Sequence, residues 1–590
     1  MQNLEGKLSK SAIDNINQWM TQSKYAEYKA QLEAMIQSEA WQDLEDSFFK
    51  VIEFGTGGRR GKTGIGSNRI NKVTIGESAQ ALCSYALSFD PGAAKKGIVI
   101  AYDTRITSPE LSKFTAQVVA ANGFKTYIFD SFRATPELSF AVRHLGCIAG
   151  IVLSASHNPP SDNGFKAYWK DGGQLVSPHD KGVLAEAAKI NQIKSIDFDR
   201  AVSDGTITII GKEVDDAYVR AVLNESMGDD RDINIVYSPL HGTGQVSVLP
   251  VLRSAGFKNI SIVKEQMVPD GNFPTVPNGK PNPEERPANE IAVSQMMREM
   301  ADITITNDPD ADRIGVMVRQ VDTPIYLNGN QSAVLAIDYV LSKMKQLGDL
   351  TDKHFIAKTI VTTDMIKALT DYYGARLYTD MLIGFKYIGE LILSKENTDE
   401  KFVIGGEESY GLLKGTYARD KDAATGALPI AEYAAELKKQ GKTLYDRLLE
   451  LFDQHGIYIE GLDTMYCLGA SGFDKMQKIM SELRKKAPTQ IGDEKVMAIR
   501  DYSSLERLDL STGEKSAINC KTGDVFVLEF GDYRKRITIR PSGTEPKLKF
   551  YVQWYEPRQK DESVSDQYGR LEKYIGELSS RLEKILNTLA

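Results

Sequence analysis

This chain of 590 residues has little of what announces several common protein classes. Its four cysteines, Cys83, Cys147, Cys467 and Cys520, lie far apart with no Cys-x-x-Cys pair, which argues against a zinc site, a dithiol redox centre or a disulfide framework. All four are expected as reduced thiols. No uninterrupted apolar run is long enough to span a bilayer, and the stretch from Met1 to Lys7 carries no signal-type apolar region; a cytoplasmic protein with no membrane partner is expected. Basic residues are not in excess either, since 72 Lys and Arg face 80 Asp and Glu for a net charge of −8. That balance disfavours a nucleic-acid surface and obliges any anionic ligand to be met by local cations. With 42% hydrophobic and 26% charged residues the composition is ordinary for a globular protein, and the length calls for several domains.

What the chain does carry centres on Ile151, Val152 and Leu153, an apolar run that stops in Ser154, Ala155, Ser156, His157, Asn158 and Pro159. An apolar strand ending in small polar residues puts them at the carboxyl edge of an α/β sheet, where such sheets bind ligands. By themselves these residues also suit a plain turn. Lys166, returning in the string Asn163-Gly164-Phe165-Lys166, sets a cation near the serine, and a hydroxyl beside a cation suits phosphate.

Ahead of this loop, residues 11 to 48 read as helix, with a capping start at Ser11 and apolar Ile13, Ile16, Trp19 and Met20 at helical spacing. The glycine-rich stretch from Phe54 to Arg69 holds Arg59, Arg60 and Lys62. It is no P-loop for nucleoside triphosphates, because the first required glycine falls on Thr56. Its amides and cations suit phosphate, or simply a solvated basic loop. A βαβ pattern follows: a strand over 97–103, a helix near 108–121, a strand over 126–129 and then the run into Ser156. Asp103 and Arg105 read as an ion-pair brace.

A strand over Ile303–Thr306 leads into Asp308, Asp310 and Asp312, the strongest chemical signal in the chain. Carboxylates at i, i+2 and i+4 repel one another unless a cation binds. An EF-hand is excluded, because its sixth position is Arg313 and its twelfth is Arg319. Three oxygen ligands with room left for water and a phosphate oxygen suit Mg²⁺. An acidic turn paired to Arg313, or an aspartate-nucleophile phosphatase, are the alternatives; the latter leaves Ser156 without a role. Further on, the strand Lys401–Ile404 ends in Glu407 and Ser409 on a glycine turn able to bind adjacent hydroxyls, or to cap a helix. Arg540, Ser542, Gly543 and Thr544 make either a phosphate cradle or a hairpin turn. The apolar stripe from Leu571 to Leu589 reads as core packing.

In this order the strings resemble the α-D-phosphohexomutase family, in particular its branch of long bacterial phosphoglucomutases and phosphopentomutases. The resemblance implies three α/β mixed-sheet domains and a C-terminal α+β domain around a central cleft, over residues 1–215, 216–325, 326–460 and 461–590. It implies an intramolecular phosphotransferase that moves phosphate between C1 and C6 of a hexose, glucose preferred over mannose or a pentose, through a phosphoserine and glucose 1,6-bisphosphate. Ser156 would carry the phosphoryl group and, with Asp308, Asp310 and Asp312, hold Mg²⁺. His157, Lys166, Arg60 and Lys421 would serve the chemistry. Arg313, Glu407, Ser409 and the Arg540, Ser542, Gly543, Thr544 loop would bind the sugar phosphate. Arg59 stands where the family often has leucine, and Gly411 where some members have a histidine. A sugar-phosphate-binding protein without catalysis is the rival from another class.

Overall fold

The computed structural model describes residues 4–53, 58–467, 472–542 and 547–589. The chain forms two compact units. The first holds Met1–Tyr326 with Gly389–Thr398 and Tyr410–Ala435; the second holds Leu327–Ile388, Asp399–Ser409 and Glu436–Ala590.

The first unit contains two sheets. Strands β1 (Gly58–Lys62), β2 (Ile98–Tyr102), β3 (Thr126–Phe129), β4 (Ala149–Leu153), β5 (Asp162–Trp169) and β6 (Ile207–Ile210) pair in the order β1-β5-β4-β2-β3-β6. β4, β2, β3 and β6 run parallel, whereas β5 and β1 are antiparallel additions at one edge. All five residues of β4 are buried, as its unbroken apolar run requires when helices cover both faces of a sheet. The second sheet comprises β7 (Ile235–Ser238), β8 (Ile260–Ile262), β9 (Ile303–Asn307), β10 (Ile314–Gln320) and β11 (Thr323–Leu327), ordered β11-β10-β9-β7-β8. Both strands that end in the chemical motifs, β4 and β9, are interior strands, and they deliver the motifs at their carboxyl ends.

The expected single helix over 11–48 is broken instead into Lys10–Thr21, a 3-10 turn Ser23–Tyr28, Lys29–Gln37 and Trp41–Phe48. The cap is Ser9, whose Oγ accepts from the Ala12 N–H at 3.2 Å, rather than Ser11. Gln22 is extended and Glu39 left-handed (φ 55°), and these breaks let Ile16, Trp19, Leu32, Leu44 and Phe48 converge on one small core, Trp19 stacking on Tyr25 at 4.3 Å. A helical spacing of apolar residues is met equally well by short helices folded onto each other.

In the second unit, β12 (His354–Lys358) lies between β13 (Arg376–Tyr378) and β14 (Lys401–Gly406), all parallel. Its C-terminal part is an antiparallel sheet in which Asp532–Pro541 and Lys547–Glu556 form a hairpin, backed by the helix Val564–Thr588. Leu571, Ile575, Leu578, Leu582 and Leu586 of that helix are buried, as the stripe predicts.

Candidate active site

Ser156 leaves β4 in the left-handed region (φ 51°) and is 2% exposed. For a residue with a Cβ this backbone costs roughly 1–2 kcal/mol. Arg105 holds it there. Its guanidinium, paired with Asp103 at 3.3 Å, donates to the carbonyls of Ser156 (2.6 Å), Asn158 (2.5 Å), Pro159 (2.7 Å) and Asp162 (2.8 Å). Charge-assisted bonds contribute roughly 1.5–3 kcal/mol each, so this grip outweighs the strain. The brace predicted between Asp103 and Arg105 is present, but its larger task, fixing the serine loop, is not visible in the sequence. Gly164 completes the packing: a Cβ there would lie 2.6 Å from the Ser154 carbonyl oxygen and 2.9 Å from that of Arg59.

The Ser156 hydroxyl donates to Asp308 Oδ2 at 2.5 Å and lies 3.1 Å from His157 Nδ1. Asp308 Oδ1 accepts the N–H groups of Asp312 and Arg313 at 3.1 and 3.0 Å, which closes the acidic turn on itself. Asp310 accepts Lys166 Nζ at 2.5 Å and the Thr135 hydroxyl at 2.6 Å, and Asp312 faces Lys421 Nζ at 3.0 Å. The structure thus brings Ser156, His157, Lys166, Lys421 and the three aspartates together. Thr135 joins them without any signal in the sequence.

Of the two adjacent arginines, Arg59 turns away to the Thr74 carbonyl (2.7 Å) and Glu77 (3.3 Å), while Arg60 reaches Asn158 Oδ1 of the serine loop at 3.5 Å. Pairing of Arg60 opposite Gly164 on β5 sets which one faces the loop. Arg313 is engaged by Glu284 at 2.5 Å. Gly411 has no room for a side chain, because a Cβ would stand 2.3 Å from Lys421 Cδ. The space a larger residue would take is filled by the lysine stem.

One carboxylate oxygen from each of Asp308, Asp310 and Asp312 lies within 4.8 Å of the others, and all three residues are buried. Among the described residues, Asp310 Oδ1 and Asp312 Oδ1 have no hydrogen-bond partner. Burial and the neighbouring charges of Asp312 and Asp310 push the Asp308 carboxyl well above the usual range. Burial, the largest single influence, opposes ionisation of Asp310, but Lys166 together with the hydrogen bonds of Asp308 and Thr135 holds that carboxyl well below the ordinary value. Burial, aided by Arg313 and Arg60, keeps the His157 ring neutral. Orphaned buried oxygens on an all-oxygen donor set fit a hard divalent cation.

In the second unit, Glu407 is buried and Ser409 half-buried just beyond β14, where no helix starts, so Ser409 is not a helix cap. Its neighbour Glu408 accepts from the Thr359 hydroxyl at 3.4 Å. Arg540 is the last residue but one of the first hairpin strand, opposite Lys549, and the Ser542 N–H donates to the Lys547 carbonyl at 2.8 Å. Gly543 and Thr544 lie outside the described residues.

Comparison with known proteins first gives the class. Three family models match in succession: phosphoglucomutase/phosphomannomutase alpha/beta/alpha domain I over residues 51–194, domain II over 216–321 and domain III over 328–454. A phosphoglucomutase of Staphylococcus epidermidis is 34% identical over 518 residues, 87% of this chain and 92% of the relative; one of Staphylococcus aureus is 35% identical over 521 residues, with the same coverage. The open form of parafusin, an exocytosis-sensitive phosphoprotein and phosphoglucomutase from Paramecium, has the same fold, with a TM-score of 0.66 at 17% identity over 90% of this chain and 95% of that one. The chain belongs to the α-D-phosphohexomutase family. It is an isomerase of the phosphotransferase kind. Among the described residues no helix is long and apolar enough to cross a membrane.

Proposed function

We propose that the protein is a phosphoglucomutase that interconverts glucose 1-phosphate and glucose 6-phosphate through a phosphorylated Ser156 and glucose 1,6-bisphosphate. The observation that carries the reading is the Ser156 hydroxyl set 2.5 Å from a buried triad of carboxylates with orphaned oxygens, on a chain 34–35% identical to phosphoglucomutases. Phosphoryl transfer asks mainly for positioning and charge neutralisation.

Ser156, Asp308, Asp310 and Asp312 would hold Mg²⁺, which when bound supplies positive charge against the transferred phosphoryl group. Lys166 and Arg60 add cations near the loop, and the neutral His157 ring lies 3.1 Å from the serine oxygen. Phosphorylated Ser156 gives its phosphoryl group to the free sugar hydroxyl: the serine O–P bond breaks, the sugar O–P bond forms, and the hydroxyl proton passes to a neighbouring base. After the bisphosphate reorients, Ser156 takes the other phosphoryl group back. Lys421 is suited to attend the reacting oxygen, Arg313, Glu407 and Ser409 to orient the sugar, and Arg540, Ser542, Gly543 and Thr544 to hold the phosphate that is not being transferred. The same reading divides the chain into domains over 1–215, 216–325, 326–460 and 461–590 and puts the enzyme, with its soluble sugar-phosphate substrates, in the cytoplasm.

Initial rates on glucose, mannose and ribose 1-phosphates test the substrate; a clear preference for ribose 1-phosphate overturns glucose. Release of inorganic phosphate instead of isomer indicates a phosphatase, and no turnover at all indicates a binding protein. Ser156→Ala should cut kcat by roughly three orders of magnitude or more. Intact-mass analysis should find a phosphate adduct on the wild type and none on the variant.

A further inference from the structure

Lys421 lies in the string Arg419-Asp420-Lys421-Asp422, and both of its acidic neighbours are tied to tyrosines. Asp422 accepts the Tyr218 hydroxyl at 2.8 Å, is also bonded by the Tyr417 hydroxyl, and caps the following helix through the Ala424 N–H at 2.7 Å. Asp420 Oδ2 accepts the Tyr168 hydroxyl at 2.7 Å, while its Oδ1 accepts the Lys421 N–H at 2.9 Å. Tyr168 is fully buried, and Gln174 Nε2 donates to its oxygen at 3.2 Å, which leaves the phenol proton for Asp420. Burial and the Asp420 carboxylate push the phenol well above its ordinary range, so it remains a donor.

Tyr168 stands two residues beyond Lys166 on β5, and side chains two apart on a strand share a face. One face of β5 therefore reaches the carboxylate triad twice. Lys166 touches Asp310 directly, and Tyr168 reaches Asp312 through Asp420 and Lys421. Asp420 Oδ1 already accepts the Lys421 ammonium weakly at 3.5 Å, and an Asp420 released from Tyr168 could close on it and compete with Asp312, which holds it at 3.0 Å.

We propose that Tyr168 is a positioning residue for the mutase reaction: by holding Asp420 it keeps the Lys421 ammonium aimed at Asp312 and the reacting oxygen. This rests on the role assigned above to Lys421. The proposal adds a residue with no contact to the sugar and makes β5 the common rail for both lysines of the centre.

A kinetic cycle tests it on the full chain with glucose 1-phosphate and glucose 1,6-bisphosphate. Tyr168→Phe should lower kcat about tenfold, as expected for one buried hydrogen bond to a charged group, while KM stays within about twofold. In a Lys421→Met background the same change should cost nothing further, because residues that act through one another are not additive. Additive losses, a change confined to KM, or an unaltered kcat in Tyr168→Phe overturns the proposal while leaving the role of Lys421 intact. An unaltered kcat in Lys421→Met overturns both. Melting curves check that the variants fold; if Tyr168→Phe does not, Asp420→Ala removes the same link from the loop side and enters the same cycle with the same expectations.

Discussion

Each unit of the molecule buries a cluster of charges, and the two clusters are built on opposite plans. In the first unit three carboxylates meet two lysines, Lys166 and Lys421, with Arg313 3.8 Å from Asp312 Oδ1, and two carboxylate oxygens accept no hydrogen bond among the described residues. In the second unit one carboxylate meets two cations: Asp364 takes Lys358 Nζ at 3.0 Å on one oxygen and the Arg536 guanidinium on the other. Other donors of the pair are engaged as well, Lys358 on the Thr362 carbonyl at 2.8 Å and Arg536 on those of Tyr533 (2.8 Å) and Ile360 (3.1 Å). Burial alone would raise the Asp364 carboxyl, but Lys358 and Arg536 hold it far below the usual range. A closed cluster is architecture. One left with unmatched oxygens is poised for an ion from outside.

The sharpest way to break this contrast is to remove one charge from each and compare signs. Lys358→Met leaves Asp364 short of a partner in a buried place and should destabilise the protein by about 3–5 kcal/mol, read as a lowered denaturation midpoint. If stability is unaffected, the cluster is not the closed structural element its geometry indicates. Asp308→Asn goes the other way. Its amide oxygen can keep the two backbone N–H bonds and its NH₂ can donate to Ser156, while the repulsion among buried carboxylates falls. The metal-free protein should melt no lower than wild type. What it should lose is the rise in melting temperature that Mg²⁺ gives the wild type, worth about 2.7 kcal/mol at a hundred times Kd.

Arg540 is a cationic counterpart in the second unit. It stands directly opposite Lys549 in the hairpin, which sets two cationic side chains side by side at the strand end. Arg540→Ala should raise KM for the sugar phosphate about ten- to a hundredfold and leave the phosphate adduct on Ser156 in place. An unaltered KM would make the hairpin end structural.

The smallest effect belongs to Glu460. Burial, opposed by the Thr363 hydroxyl and helped by the Asp364 charge, pushes its carboxyl up to about 7. A carboxyl raised on folding binds more protons folded than unfolded, so its contribution to stability is present at low pH and lost as pH rises from about 4.5 towards about 7. Glu460 keeps part of its surface exposed at the strand, which screens the effect, so on the order of 1–2 kcal/mol is expected. Glu460→Gln should flatten the fall in denaturation midpoint between pH 5 and pH 8.

The parts of this site that are legible in the sequence are those where one local pattern has one physical outcome. An apolar run ending in Ser156 has to end at the carboxyl edge of a sheet, and three aspartates on one turn have to answer their own repulsion. Arg59 and Arg60 could not be told apart without the pairing of β1 with β5, because neighbours on a strand point to opposite faces and only the register says which face is inside. Arg105 reads as a partner of Asp103, since that pairing is local. Its four carbonyls lie 51 to 57 residues away and carry no side-chain signal. The broken helices of the first 48 residues show the same limit: spacing records which residues are buried together, and turns such as those at Gln22 and Glu39 leave it unaltered.

The bonds that make the centre join distant points of the chain. Ser156 and Asp308 are 152 residues apart, and Tyr168 and Asp420 are 252 apart. On a ribosome adding residues from the amino terminus, the serine loop and its Arg105 grip can form early. The acidic turn arrives much later, and the lysine that faces Asp312 later still, from a segment that leaves the first unit and returns to it at Tyr410. A nascent chain stopped short of residue 421 would hold the nucleophile and all three carboxylates and yet lack the finished centre. Contacts of such separation are also the slowest to form in a refolding chain. Recovery of activity should therefore trail recovery of secondary structure when the protein is refolded from denaturant.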